Sequence, residues 1–437
     1  MLCLVQFVDV LGVTSATTAI PAILSGLGAP PPAAGPLATV YAMFFGGVLI
    51  LGARLGDRFG HRRILLTGIA LFGAVSVLGA SAGLWGSGAL AVVLVARALQ
   101  GAAAALSVPS ALRLLLSATP EDDRRRGALA AWSATGAAAG ASGFLVGGVL
   151  VQAFGWPAVF WVNLPLAAGL IAGLVATVAP AREAVERMPL DALGATLLIL
   201  AVMAVIAGAA WIEQPQTRAL GAASVGVGAL LAVLLGVRLR TARDPLIPSA
   251  AFRSRPLRHG TALSFVNTAT TSSTAVLATL FLQERLGLDP VAAGLTLMAL
   301  SVAVILTSTS TRALLARLSP YTVSGMGIGL IAIGCLFLAL TVGTWWGVLA
   351  GVAIAGAGLG LSSVAATTIG TSVPDELAGS ASGILNTGAQ LGTALGTSVL
   401  VLVASLGGVA AGWLGAAAVS AVTAVWCLLP GRRRAHR

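Results

Sequence analysis

The sequence predicts an all-α polytopic membrane protein with about fourteen transmembrane helices. Three observations lead there. Of its 437 residues, 57% are hydrophobic and only 9% are charged, against about 25% charged in a soluble domain, so the chain cannot coat a globule with charge. Apolar runs of roughly 20 residues, enough to cross a bilayer as helix, recur from end to end. The runs are continuous, whereas a transmembrane barrel would show short alternating segments.

In order, the runs fall near residues 3–25, 36–54, 64–85, 89–114, 128–153, 158–179, 191–211, 219–239, 260–282, 291–312, 321–343, 346–370, 380–404 and 409–429. The first lacks the basic leader of a signal peptide and is followed by many more, so it reads as a true span. It begins almost at Met1, which leaves room for a missing short cytoplasmic tail. Most connections are short; the longest polar ones are 180–190 and 240–259.

The arginines test the count. All 25 basic residues are arginine. With the N-terminus placed in the cytoplasm, Arg218 and Arg285 fall outside, Arg97 falls within the fourth run, and every other arginine lies on the inner side. Positively charged loops stay inside, and an odd number of spans would break the pattern. The net charge of +11 therefore sets topology, with both termini cytoplasmic in a plasma membrane, and offers contacts to anionic lipid. It is not a nucleic-acid footprint.

Other chemistry is not signalled. Cys3, Cys335 and Cys427 lie far apart in apolar runs and read as core residues. His61, His259 and His436 lie outside the spans in no ligand spacing. GAGLGLSS at 356–363 is glycine-rich but sits in an apolar span, where it reads as helix packing rather than a phosphate loop. No metal, cofactor or enzyme activity is expected, and with no ATP-binding domain any transport would draw on an ion gradient.

An internal repeat pairs spans one to six with spans nine to fourteen. The first helix of each set has a hydroxyl-rich middle: Thr14, Ser15, Thr17 and Thr18 against Asn267, Thr268, Thr270, Thr271, Ser272, Ser273 and Thr274. The fifth helix of each follows ATPEDD or SVPDEL and carries a glycine stripe, Gly136, Gly140, Gly143, Gly147 and Gly148 against Gly383, Gly388, Gly392 and Gly396. The expected organisation is a six-helix half over 1–180, an inserted two-helix pair over 181–245 and a second half over 246–437. Two halves with a site between them is a transporter architecture.

Three motifs carry chemistry. GARLGDRFGHRRI, residues 52–64, combines turn-forming glycines with a lone acid among arginines, able to lock helix ends together by charge-assisted bonds; the plain alternative is an ordinary basic loop. LVARALQGAAAALSVPSALR places Arg97 within a span, where a guanidinium must face the bundle interior and find a partner. It serves either coupling or helix pinning. GASGFLVGGVL gives close helix packing in lipid.

The first of these resembles the major facilitator superfamily signature between the second and third helices, through Gly52, Leu55, Asp57, Arg58, Gly60, Arg62 and Arg63. The resemblance implies a cytoplasmic gate built from these residues with Gly56 and Arg113. RALLARLSPYT, the matching loop of the second half, has Ala316 where the acid would be. Arg97, Gln100 and Gly101 resemble the fourth-helix motif linked to proton transfer. Gly143, Gly147 and Gly148 resemble the antiporter motif, with Phe144 in place of its proline. GWPAVFWVNLP, FLQERLGLDPVAAGL and GSASGILNTGAQLGTALG resemble segments of the fourteen-span drug/proton antiporter family, so the likeness covers nearly the whole chain.

Aligned on Thr14, Ala19 and Pro21, that family's first-span aspartate falls at Gly12. Asp9 lies three residues earlier, on the same helical face one turn away. It is the sole acid expected inside a span, and with Arg97 it makes the available intramembrane charge pair. Asp9 and Arg97 are the proton-coupling candidates; a structural acid near the inner interface is the plain alternative for Asp9. Thr14, Thr17, Thr18, Gln100, Asn267, Thr271, Asn386 and Gln390 are the candidate cavity residues, with Trp132 and Trp161 as weaker choices. The resemblance implies a monomeric exporter of a small hydrophobic drug or metabolite in exchange for protons. An importer or uniporter of a specific solute, and a non-transporting receptor or scaffold, remain open.

Overall fold

In hydrocarbon a backbone amide finds no water, so each apolar run closes its own hydrogen bonds as helix. The computed structural model describes residues 1–119, 122–178, 191–212, 216–242, 245, 247, 251, 253–373 and 375–429. Its helices are α1 (Leu2–Leu27), α2 (Ala34–Phe59), α3 (His61–Ala80), α4 (Ala89–Ser117), α5 (Asp122–Phe154), the short α6 (Ala158–Trp161) and α7 (Asn163–Thr177), α8 (Ala192–Ile212) and α9 (Arg218–Thr241). After these come α10 (Arg255–Leu280), α11 (Pro290–Leu315), α12 (Pro320–Leu340), α13 (Trp345–Thr371), α14 (Asp375–Gly407) and α15 (Val409–Leu428). With α6 and α7 as one span, 14 segments are long and apolar enough to cross a membrane, as the sequence predicts.

The chain starts its later helices with side-chain caps. Asp289 accepts from the Ala292 amide at 2.8 Å ahead of α11, and Ser319 and Thr344 accept from Thr322 and Gly347 at 3.2 Å ahead of α12 and α13. Such caps satisfy amides the helix leaves open. Mid-helix hydroxyls turn inward instead: Thr14, Thr17 and Thr271 donate to the carbonyls of Val10, Val13 and Asn267, four residues back. The predicted half boundaries fall mostly on positions outside the described residues, as do Arg182, Arg187, Arg243, His436 and the arginines at 432, 433, 434 and 437.

The packing scheme repeats. In the first half α1 packs on α5, α2 on α4, α3 on α4 and α3 on α7; in the second α10 packs on α14, α11 on α13, α12 on α13 and α12 on α15. The two glycine stripes explain one pair in each half. Gly143 and Gly147 lie against Thr14 and Ser15 of α1, and Gly392 and Gly396 lie against Phe265 and Ala269 of α10. Between the halves, α5 meets α11, α2 meets α14 and α1 meets α10. The inserted α8 and α9 pack on each other, and α8 also touches α2 and α14, so the pair rests on the seam of the two halves.

Several contacts join the halves at the end of the bundle opposite Met1. The Gln283 amide donates to the Thr18 carbonyl at 2.9 Å, and Ser398 donates to Thr39 at 3.4 Å. Gly148 of α5 lies against the backbone of Pro290, and Gly294 of α11 against that of Phe144. The apolar cluster there draws on both halves, with Ile20, Leu24, Phe144, Phe281, Leu282 and Trp413 in one core.

Candidate functional site

The sequence motif at 52–64 is mostly helix, which corrects its expected form as a loop. α2 runs through Asp57 to Phe59, and α3 begins at His61. Gly60 makes the whole turn with φ 92 and ψ 126, a region closed to side-chain-bearing residues. The partner of Asp57 also differs from expectation. His61, one turn on, reaches its carboxylate at 3.0 Å, and Gly56 leaves room for that imidazole, because a Cβ there would lie 2.6 Å from Cε1 of His61.

The arginines around this turn also make contacts away from it. Arg62 donates to the Val178 carbonyl at the end of α7, and Arg54 to the Pro245 carbonyl beyond α9, each at 2.9 Å. Arg58 lies 5.4 Å from the ring centroid of Phe59. Arg58, Arg63 and Arg113 are exposed. The turn is therefore tied to its own half and to the chain following the inserted pair.

Deeper in the bundle, four helices of the first half converge on a buried polar cluster. Asp9 of α1 accepts a hydrogen bond from the Tyr41 hydroxyl of α2. Arg97 of α4 lies over the same ring, 4.5 Å from its centroid. One guanidinium nitrogen of Arg97 donates to Gln100 at 3.2 Å, and the Gln100 amide donates to Ser76 of α3 at 2.7 Å. Asp9, Tyr41, Arg97, Gln100 and Ser76 are each at most 7% exposed.

This corrects the expected charge pair. Among the described residues Asp9 and Arg97 form no direct ion pair; Tyr41 stands between them as donor to one and as π face to the other. The Nε of Arg97 has no hydrogen-bond partner among the described residues. Gly101, one turn below Arg97, lets α4 approach α2, since a Cβ there would lie 3.0 Å from the Tyr41 carbonyl carbon. The glycine thus seats the tyrosine beneath the arginine. Sequence reasoning missed Tyr41, although it is one of 2 tyrosines in the chain and a buried phenol seeks a partner.

Asp9 also borders a cavity of about 20 Å³, lined by Val5, Val8, Phe72 and Ser107 among others. That is room for about one water. A Cβ at Gly12, the position of the family aspartate, would lie 3.4 Å from the ring of Phe72, which also lines that cavity. Two other acids lie beside apolar helices. Asp57 ends α2, and Asp191, before α8, is buried and paired with Arg238 at 3.1 Å.

The candidate cavity residues divide. Thr18, Gln100, Asn267 and Thr271 are buried within the packing, 3% exposed or less. Thr18 donates to the Phe144 carbonyl at 3.3 Å, and both amide atoms of Asn267 lack a partner among the described residues. Thr14, Thr17 and Gln390 are half-buried and Asn386 is exposed. Gln390 lies against Gly46 across the seam of the halves. Trp132 is half-buried against the first-half core, and Trp161 is exposed at the end opposite Met1. Among the described residues no group of His, Cys, Asp and Glu is arranged to hold a metal.

The family model of the Major Facilitator Superfamily matches residues 2–397 and, in a second match, 260–437. The chain belongs to the Major Facilitator Superfamily. As a member it is a transporter and not an enzyme, and it is a multi-pass membrane protein.

Its curated superfamily relatives carry export and resistance names. The chain is 36% identical over 379 residues to the tetracenomycin C resistance and export protein of Streptomyces glaucescens, a match covering 82% of this chain and 66% of that protein. It is 31% identical over 431 residues to the cephamycin export protein CmcT of Amycolatopsis lactamdurans, covering 93% and 84%. With the lincomycin resistance protein of Streptomyces lincolnensis it shares 31% over 459 residues, covering 99% and 91%. Among solved structures, a peptide transporter POT matches with TM-score 0.70 at 17% identity, covering 98% of this chain and 92% of that one. That likeness bears on the fold.

Proposed function

We propose that this superfamily member exports hydrophobic drug-like or metabolite molecules across the plasma membrane, in exchange for protons, by alternating access. The observation that carries the coupling is the buried Asp9–Tyr41–Arg97 cluster. An ionisable group buried within membrane-spanning helices is functional by default. A carboxyl held by one hydroxyl, beside one guanidinium and a water-sized cavity, can exchange a proton when helices move. The export names of the relatives support the direction. The pseudo-symmetric contacts between halves support rocking of one half against the other. The clustering of arginine at the Met1 end supports a cytoplasmic location for both termini, with the Gly52, Asp57 and Gly60 turn as a gate on that side. The unit of function is taken as the monomer.

The test is dye efflux from a host without its own pumps, with and without a proton ionophore. Ionophore-sensitive efflux is the expected result. Uptake in place of efflux would reverse the direction. Asp9→Asn is expected to abolish gradient-driven efflux while leaving substrate exchange; an unchanged pH dependence would remove Asp9 from coupling.

A further inference from the structure

The cavity of about 20 Å³ beside the Asp9 carboxyl is built by the first half. Among the described residues its walls come from α1, α3, α4 and α7 alone, through side chains such as Val8, Phe72, Ser107 and Leu170. The helices that meet across the seam, α2 on α14 and α5 on α11, contribute no wall.

Two polar residues line it, Asp9 and Ser107, and the other walls are aliphatic or aromatic. Tyr41 occupies one carboxylate oxygen of Asp9, and a carboxylate accepts about four hydrogen bonds. Ser107 directs its proton at the Ala103 and Ala104 carbonyls, 3.2 and 3.3 Å away, so its oxygen keeps acceptor capacity. A space of this volume with two polar partners suits one bound water.

The cavity also lies on the Met1 side of the buried cluster. Along α4, Ser107 is about 15 Å nearer that end than Arg97 at helical rise. Ile69 on the wall is about 12 Å from the start of α3 at His61, and Leu170 is about 10 Å from the end of α7 at Thr177. Tyr41 and Arg97 are the titratable groups that face Asp9 from α2 and α4. Neither lines the cavity, and the walls from α3 and α7 carry no titratable group.

We propose that one water binds here between Asp9 and Ser107, and that through it Asp9 exchanges its proton with the Met1 side, inside the first half and apart from the seam. The carboxyl O–H bond breaks as a new O–H bond forms on the water, and one of the water's own protons passes to the next water toward the Met1 end. Asp9 is left as a carboxylate and the bound water is restored. A single intervening water is within the reach of such a transfer. The inference deepens the proton-exchange reading and rests on it.

Two measurements test it. X-ray radiolysis of the purified protein turns bound water into hydroxyl radical, which oxidises adjacent side chains, and mass spectrometry reads the rates. Phe72, 6% exposed, is expected to oxidise several times faster than Phe144 and Phe281, 5% and 6% exposed, which pack in the core at the far end. Equal rates would mean a dry cavity and overturn the inference without any variant. The second measurement follows proton flux coupled to ethidium movement in proteoliposomes holding a pH dye. Ser107→Val puts methyl groups where the water would sit. It is expected to slow coupled proton flux by ~10-fold or more, well beyond its effect on ethidium exchange without a gradient. Equal loss of both, or loss of neither, overturns the route. Wild-type protein that moves ethidium without protons overturns proton exchange itself, whereas wild-type proton flux that Ser107→Val leaves intact overturns the route alone.

Discussion

Tyr41 donates its hydroxyl to the carboxylate of Asp9 and carries the guanidinium of Arg97 on its ring, 4.5 Å from the centroid. One side chain thus touches both charges of the buried cluster. The two contacts can be separated. Tyr41→Phe keeps the ring and removes a hydrogen bond to a charged group, worth about 1.5–3 kcal/mol. Tyr41→Leu removes the ring contact as well, worth about 2 kcal/mol when desolvated. Thermal unfolding in detergent is expected to rank wild type above Tyr41→Phe and Tyr41→Phe above Tyr41→Leu. Equal midpoints for the two variants would show that the ring face contributes nothing.

Gly101 seats that ring. A Cβ at Gly101 would lie 3.0 Å from the Tyr41 carbonyl carbon and 3.1 Å from the Phe45 amide nitrogen, and both are backbone atoms. Gly101→Ala must push α4 from α2, a strain of about 1–3 kcal/mol. The expected readout is a lower unfolding midpoint together with reduced efflux. Gly83→Ala, with open space around its Cβ position, is the matched control and is expected to change neither.

Gly148 joins the halves. Its Cβ would lie 2.8 Å from the Pro290 carbonyl carbon and 3.0 Å from the Val291 Cα. Gly148→Val is therefore expected to hold that end of the bundle apart. With Gln283→Cys introduced after the native cysteines are replaced, a membrane-impermeant thiol reagent should label the Gly148→Val protein several times faster. An unchanged rate would mean that the α5–α11 contact does not govern closure there.

The inserted pair carries its own test. The Asp191 side chain is fully buried, accepts the Gly194 amide at 2.9 Å and meets Arg238 at 3.1 Å, while Arg238 is 38% exposed. Arg238→Ala removes a counter-charge from a buried carboxylate. The expected loss is about 1–3 kcal/mol, below the value for a fully buried pair because water reaches Arg238. Adding Asp191→Asn should recover most of it, since the amide still accepts from Gly194 and no buried charge remains. A double variant as unstable as Arg238→Ala alone would exclude an electrostatic origin.

The sequence by itself determined the class, the number of spans and the repeat. These follow from one-dimensional quantities: the length of apolar runs, the side on which arginines fall and the recurrence of small-residue stripes. It also marked Asp9, Arg97 and the 52–64 motif, because charge within or beside an apolar run stands out without coordinates. The tertiary structure decided what those charges touch. Asp9 and Arg97 are 88 positions apart, and only the seating of α2 on α4 puts Tyr41 between them. His61 makes the close contact to Asp57, ahead of the arginines, because α2 and α3 are broken by a single residue, Gly60. Asn267 and Thr271 go into the packing because a hydroxyl-rich helix middle has more than one polar face, and neighbours choose which face opens. Composition fixes that a segment must be buried in lipid or protein; which side chain meets which partner is set by how the helices are stacked.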